Sequence, residues 1–447
     1  MREAGPHLHM AETATLRRSL SLRDLIVYGL LFIGPLAPVG IFGVLDARTG
    51  GAAATVYLLA TIAMAFTAWS YAEMSRVVPH AGSVFAYASS GLGSPAGFLA
   101  GWLAMLDYLL IPSVAYLFSG IAMHALVPSV PAWVFTAVAL VATTLFNLAG
   151  VSIAARAGLV VLIAEIAVLL LFVALALFVL ASEGPSRPWS SPFVGTTGAF
   201  ALPAIVGAIS VAVLSFLGFD AIASFAEESA GDSRQVGVAI LVCLGVAGVL
   251  FVAQSYLAAV LSSISPEELR ARPERQGTAF YDLTRASLGG WMATVLAVTK
   301  AIGPAFAAMT AQAASARLLL GMARDGRLPA VLAQIDTRRG VPTVSLLSAA
   351  VLTLVASVWA ARRTDGLEVL VSIVDVGALG AFTLLHASVV GYFVVRQKDR
   401  ARLAHWIVPV LGGIVTIWVI AEASPLAKTI GLAWLTLGLI AVAARRR

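Results

Sequence analysis

The sequence predicts an all-α integral membrane protein of about 12 transmembrane helices, built as a 5+5 inverted repeat with broken helices 1 and 6 plus two extra C-terminal helices. Three observations carry this. Of 447 residues, 60% are hydrophobic and only 12% charged, against roughly a quarter charged in soluble domains. Apolar runs of about 20 residues, the length that crosses a hydrocarbon core of roughly 30 Å, recur along the whole chain. Clusters of helix-breaking residues fall at corresponding places in the first and sixth runs, five helices apart.

The runs read as 24–45, 52–75, 94–125, 132–150, 157–181, 202–229, 236–261, 290–322, 342–361, 367–395, 404–422 and 425–443. The first contains Gly34-Pro35-Leu36-Ala37-Pro38-Val39-Gly40, and the sixth Ser215-Phe216-Leu217-Gly218-Phe219-Asp220. Glycine and proline are also common in membrane helices because they permit close packing. Placed at matching positions in two halves, they point instead to unwound backbone near the membrane centre, where N–H and C=O groups face a solute. On this reading 1–23 is a retained polar tail without a signal peptide, 24–396 an inverted-repeat core of ten helices, and 397–447 the last two helices with a short C-terminus. The longest polar connection, 262–289, is too short to hold a soluble catalytic domain.

Charge sets the expected orientation. With the N-terminus inside, nineteen of the 29 Lys and Arg fall on cytoplasmic segments, so both termini are expected in the cytoplasm of a cell with this protein in its inner membrane. The formal charge of +6 then reflects basic loops facing anionic lipid headgroups, and no interleaving of basic and aromatic residues suggests nucleic acid. The single cysteine, Cys243, excludes an internal disulfide and a multi-cysteine metal site. The histidines at 7, 9, 80, 124, 386 and 405 show no ligand spacing near the membrane centre, so neither an enzyme nor a metal or other cofactor is expected.

Ionisable groups deep in apolar helices are costly and therefore candidates for function. Four stand out: Asp107, Glu165, Asp220 and Lys300. Asp107, near the middle of helix 3 and followed by Tyr108, either receives an ammonium by charge pairing and cation–π attraction or hydrogen-bonds a neighbouring helix. Glu165, near the centre of helix 5, either exchanges a proton or stays protonated against a carbonyl. Asp220 follows the second break and either braces it or faces the solute. Lys300 lies close enough to the outer surface to snorkel. Glu227 and Glu228 end helix 6 on the inner side and read as a gate paired with loop residues such as Arg234 or Arg156, or as solvated surface. Phe216, Phe219 and Tyr28 are candidate cavity aromatics, with packing as the alternative.

These stretches resemble the amino acid–polyamine–organocation permeases over nearly the full length, and among them the bacterial putrescine importers. Ser215 to Ala221, continuing to Glu227-Glu228, is similar to that family's sixth-helix signature. Ala323-Arg324-Asp325-Gly326-Arg327-Leu328-Pro329 with Val341-Pro342 resembles its inner loop after helix 8. Tyr71-Ala72-Glu73, Pro79-His80-Ala81-Gly82-Ser83, Gly101-Trp102 and Leu106-Asp107-Tyr108 also fit.

The resemblance implies a secondary transporter importing a small amine or amino acid by alternating access. Asp107 and Tyr108 would then lie beside the substrate, and Glu165 would stand in for a sodium ion, making the coupling ion a proton. Cationic or neutral amino-acid permeases and exchangers remain alternatives, as does a sensor or channel on the same fold. Two departures stand out. Many relatives have Gly-x-Gly-Ile-Phe in helix 1, whose N–H groups hold a carboxylate. Here the run is Pro38-Val39-Gly40-Ile41-Phe42, and proline removes one donor. A putrescine-like substrate without a carboxylate fits that loss, although Gly34, Val39 and Gly40 remain potential donors. Gly231-Asp232-Ser233-Arg234 replaces a stretch that often carries proline, and bears on gating. The expected substrate-contacting set is Gly34, Val39, Gly40, Asp107, Tyr108, Phe216, Gly218, Phe219 and Asp220, with membrane lipid as the surrounding partner.

Overall fold

The computed structural model describes residues 18–78, 83–196, 202–232, 234–336, 338–363, 366–398, 403–423 and 425–444. The tail positions His7 and His9, the Pro79–Gly82 run and Ser233 lie outside the described residues.

Ser21 starts the first helix with a capping box: its hydroxyl accepts from the Asp24 amide while the Asp24 carboxylate accepts from the Ser21 amide, 2.9 Å away. That helix, Leu22–Ile33, stops at Gly34, whose φ of 75° is open to glycine. Ala37–Thr49 continues it after a bend of 41°. Together they form span 1, as the Gly34–Gly40 run predicts. Spans 2 to 5 are Ala53–Val77, Ser94–Leu126, Ala132–Ala149 and Val151–Glu183.

Span 6 is broken twice over. Leu202–Val213 is α-helical, Leu214–Phe216 tightens to a 3-10 turn, Gly218 takes φ 120°, and Phe219–Glu228 continues as a 3-10 helix. Spans 7 to 12 are Arg234–Leu261, Gly290–Arg324, Thr343–Ala361, Gly366–Val389, Ala404–Glu422 and Pro425–Ala444. Among the described residues eleven helices are long and apolar enough to cross a membrane, and the bent pair of span 1 makes twelve. Val160, Phe178 and Val249 are each two-thirds or more exposed, as befits side chains whose solvent is the acyl chain.

Alternation of the spans puts the 262–289 connection on one face of the bundle, here called the hairpin face, and the 78–93 and 325–342 connections on the other, the basic face. Two short helices were not evident from apolar periodicity: Val84–Leu92 on the basic face and Ala279–Leu288 on the hairpin face. The second seats Phe280 edge-on to Phe42 of span 1 and against Phe172 of span 5. On the same face Arg187 donates both guanidinium nitrogens to Asp46 at 2.9 Å, and also reaches the Ser262 hydroxyl and the Ile264 carbonyl. This buried fork pins the hairpin-face end of span 1 to the connections after spans 5 and 7. Span 12 is fastened to span 3 by the stacked rings of Trp102 and Trp434, 4.3 Å apart, each indole N–H donating to the other's backbone carbonyl.

Candidate functional site

The two breaks meet in space. A Cβ added to Gly218 would lie 2.1 Å from the Phe32 ring, so the left-handed turn of span 6 rests directly on the last turn before Gly34. Span 7 supports the first break, where Gln254 donates to the Pro35 carbonyl at 2.9 Å. Gln254 is uncharged, so the search for ionisable groups in apolar runs passes over it.

Above the breaks a cavity of about 620 Å³ runs to the hairpin face, where its rim includes the exposed residues Gly277, Thr278 and Arg285. Its floor is formed by Gly34, Ser215, Leu217 and Ile111. The walls are mainly apolar and small, with Glu165 of span 5 and Lys300 of span 8 as the charged side chains at depth. Lys300 therefore turns into the cavity rather than snorkelling to the outer surface. The Glu165 carboxylate packs against Gly303, where a Cβ would lie 2.1 Å from Oε1, and lies within electrostatic reach of Lys300. Its Oε2 is buried with no hydrogen-bond partner among the described residues.

Of the expected substrate-contacting residues, Gly34 and Gly40 line this cavity. Asp107, Tyr108 and Asp220 are brought together, but beneath the floor. The Tyr108 hydroxyl donates to Asp220 Oδ2 at 2.7 Å and lies 3.2 Å from the Ser83 hydroxyl, while the Gly218 amide donates to Asp220 Oδ1 at 3.2 Å. Asp220 thus braces the second break against span 3. Ser315 of span 8 donates to the Tyr108 carbonyl. Asp107 is 3% exposed, and its Oδ1 has no hydrogen-bond partner among the described residues. The aromatics do not line the cavity. Phe216 packs among Tyr57 and Phe251, Phe219 against Tyr71 and Phe382, and Tyr28 stacks on Phe225 while donating to the Val151 carbonyl. Ser215 and Leu217, the residues on either side of Phe216 in sequence, take the cavity positions instead.

The amides at the start of the second half of span 1 are largely committed. Ala37 N–H donates to the Gly34 carbonyl at 2.9 Å, Pro38 has none, Val39 N–H donates to the Leu36 carbonyl at 3.1 Å, and Gly34's own N–H donates to Leu30. The end of a helix that elsewhere makes an anion seat has few donors to offer here.

The basic face is closed. Glu228 and Arg317 form a fully buried fork, and Arg317 lies 4.2 Å over the Phe225 ring. Glu227 pairs with Arg324 at 2.7 Å. These partners correct the expectation of Arg234 or Arg156: span 8 runs on past the membrane core, and its last turns face the 3-10 end of span 6, a tertiary contact that sequence distance conceals. The chain just before span 1 lies across this contact, with Ser19 and Leu20 N–H both donating to the Glu228 carbonyl and Ala230 N–H to the Leu20 carbonyl.

One further carboxylate, Asp375 in span 10, was not among the four singled out, although the same criterion of a charge within an apolar run selects it. Its Oδ1 is buried without a hydrogen-bond partner among the described residues, and it lies within electrostatic reach of Asp107.

The family model described as "amino acid permease" matches residues 25–434. A low-affinity putrescine importer of Escherichia coli strain K12 is 28% identical, over 96% of this chain and 93% of that protein. A methylthioribose transporter of Bacillus subtilis is 27% identical over 91% and 89%, and a branched-chain amino acid permease of the same organism 27% over 95% and 92%. With one family model spanning all but the extreme ends, the chain belongs to the amino acid permease family.

Proposed function

We propose that this protein imports a small aliphatic amine of the putrescine kind, with a proton as coupling ion, by alternating access across a cytoplasmic membrane. The observation that carries the reading is a cavity entered from the hairpin face that ends on two helix breaks, with an acidic residue in its wall and three more carboxylates, Asp107, Asp220 and Asp375, beneath its floor. Lys300 also lies in the wall, but the carboxylates at depth, Glu165, Asp107, Asp220 and Asp375, outnumber it, which favours a cation over an anion. A zwitterionic amino acid needs a carboxylate seat, and the amides at the start of the second half of span 1 are bonded back or replaced by Pro38. The similarity to a putrescine importer over nearly the whole chain supports the same class.

In this reading the hairpin face is extracellular and the conformation is the outward-facing one. Substrate enters above Gly34 and Ser215 and moves toward the acidic floor. Glu165 takes a proton from the outside, which removes a negative charge from the wall of a low-dielectric cavity. Release inward requires the Arg317–Glu228 and Arg324–Glu227 pairs to separate and the Ser19–Leu20 segment to lift. The spans then rock about the fixed site, with the 5+5 inverted repeat supplying the symmetry of the two states.

Uptake of radiolabelled putrescine into proteoliposomes should rise when the outside is acidified and collapse with a protonophore. Glu165→Gln should abolish the response to the proton gradient while leaving downhill exchange of putrescine measurable. Uptake in that variant with an unchanged proton dependence would remove Glu165 from the coupling step.

A further inference from the structure

We propose that Asp375 and Asp107 together form a two-carboxylate seat for a primary ammonium group, which makes Asp375 of span 10 a substrate-binding and specificity-determining residue. The inference rests on the amine-import reading and deepens it.

The placement follows from packing. Gly377 lies against span 3 so closely that a Cβ there would be 3.1 Å from the Asp107 amide nitrogen, which sets the two helices side by side at the level of both carboxylates. Asp375 is seven residues, two turns, before Phe382, and therefore on the same stripe of span 10. Phe382 packs on Tyr71 and on Phe219 of the broken span 6, so this stripe faces the centre of the protein. Ile111, in the cavity floor, is four residues of span 3 from Asp107, a separation of about 6 Å along the axis.

Asp220, the third carboxylate nearby, already has both oxygens occupied by Tyr108 and Gly218. Asp107 and Asp375 differ: each keeps a buried Oδ1 with no donor among the described residues. A carboxylate buried without a donor is expensive, and two close together more so, unless a cation or a shared proton joins them. Among the described residues no three carboxylates converge as metal ligands do. A primary ammonium has three N–H donors and no acceptor, which suits two separate carboxylate oxygens. The apolar cavity walls at Ile33, Val114 and Phe118 suit the methylene chain behind it.

The test compares wild type, Asp375→Asn and Asp375→Glu, each purified in detergent and reconstituted. Putrescine affinity is read as ligand-induced thermal stabilisation, and KM and maximal rate from proteoliposome uptake. Asp375→Asn keeps volume and removes charge; it should raise the putrescine Kd and KM by about tenfold or more, the loss typical of a hydrogen-bonded charge. Asp375→Glu should retain much of the affinity, and remains the readout should the Asn variant not fold. Putrescine binding unchanged in the Asn variant would overturn the proposal. So would a variant whose only defect is altered proton dependence, since the two carboxylates would then share a proton. Wild-type protein that ignores putrescine and transports alanine would instead sink the amine-import reading, and this seat with it.

Discussion

Gly218 shows how one residue can satisfy two constraints. Its φ of 120° lies where side chains are strained, and its missing Cβ admits the Phe32 ring. Gly218→Ala should therefore cost about 1–3 kcal/mol, seen as a lower thermal midpoint, and should also separate the two breaks and slow uptake; an alanine variant with wild-type midpoint and rate would contradict this. Tyr108→Phe removes the donor to Asp220 and leaves a buried carboxylate oxygen short, a loss of about 1–3 kcal/mol measurable in the same melt. The sequence disclosed Asp107, Glu165 and Asp220 because a charge in an apolar run stands out, and it disclosed the missing donor at Pro38. It concealed what each charge faces. Asp220 and Asp107 lie on different spans, and only tertiary packing shows that one is fully bonded and the other is not. Asp375 was accessible to the same criterion but sits in Val374-Asp375-Val376 with no breaker or motif beside it to draw attention.

At the level of elements, the spans were readable because the bilayer imposes their length and each helix satisfies its own backbone, although span 5 starts at Val151 rather than 157 and span 1 runs on to Thr49 rather than 45. The short helices Val84–Leu92 and Ala279–Leu288 were not, since neither has a membrane-length apolar run. Elements also carry the two buried ion pairs, one on each face. Arg187→Ala leaves Asp46 charged and alone between spans and connections, so it should destabilise by about 3–5 kcal/mol, with loss of folded protein on mild heating as the readout. Arg317→Ala removes the partner of Glu228 on the closed face. Its expected signature is a shift toward the inward-open form, detected as protease cleavage or labelling near Ala230 from the basic side; unchanged protection would mean that the pair braces the fold without gating.

For the molecule as a whole, the asymmetry between a cavity reaching the hairpin face and a sealed basic face is the structural basis for transport. Cys243 is the only cysteine in the chain and is buried against the Ile26 carbonyl, so the protein is a ready background for accessibility labelling. Ala115→Cys, on the cavity wall, should react with a membrane-impermeant thiol reagent from the hairpin side and be protected by substrate, while the wild type stays unlabelled. The central claim, concentrative import of an amine driven by protons, is tested most directly by radiolabelled putrescine uptake into proteoliposomes under an imposed inward proton gradient, competed by excess putrescine, arginine and alanine. The account predicts accumulation above equilibrium that unlabelled putrescine blocks and a protonophore abolishes. Accumulation of alanine in place of putrescine, or putrescine flux that only equilibrates whatever the gradient, would contradict it.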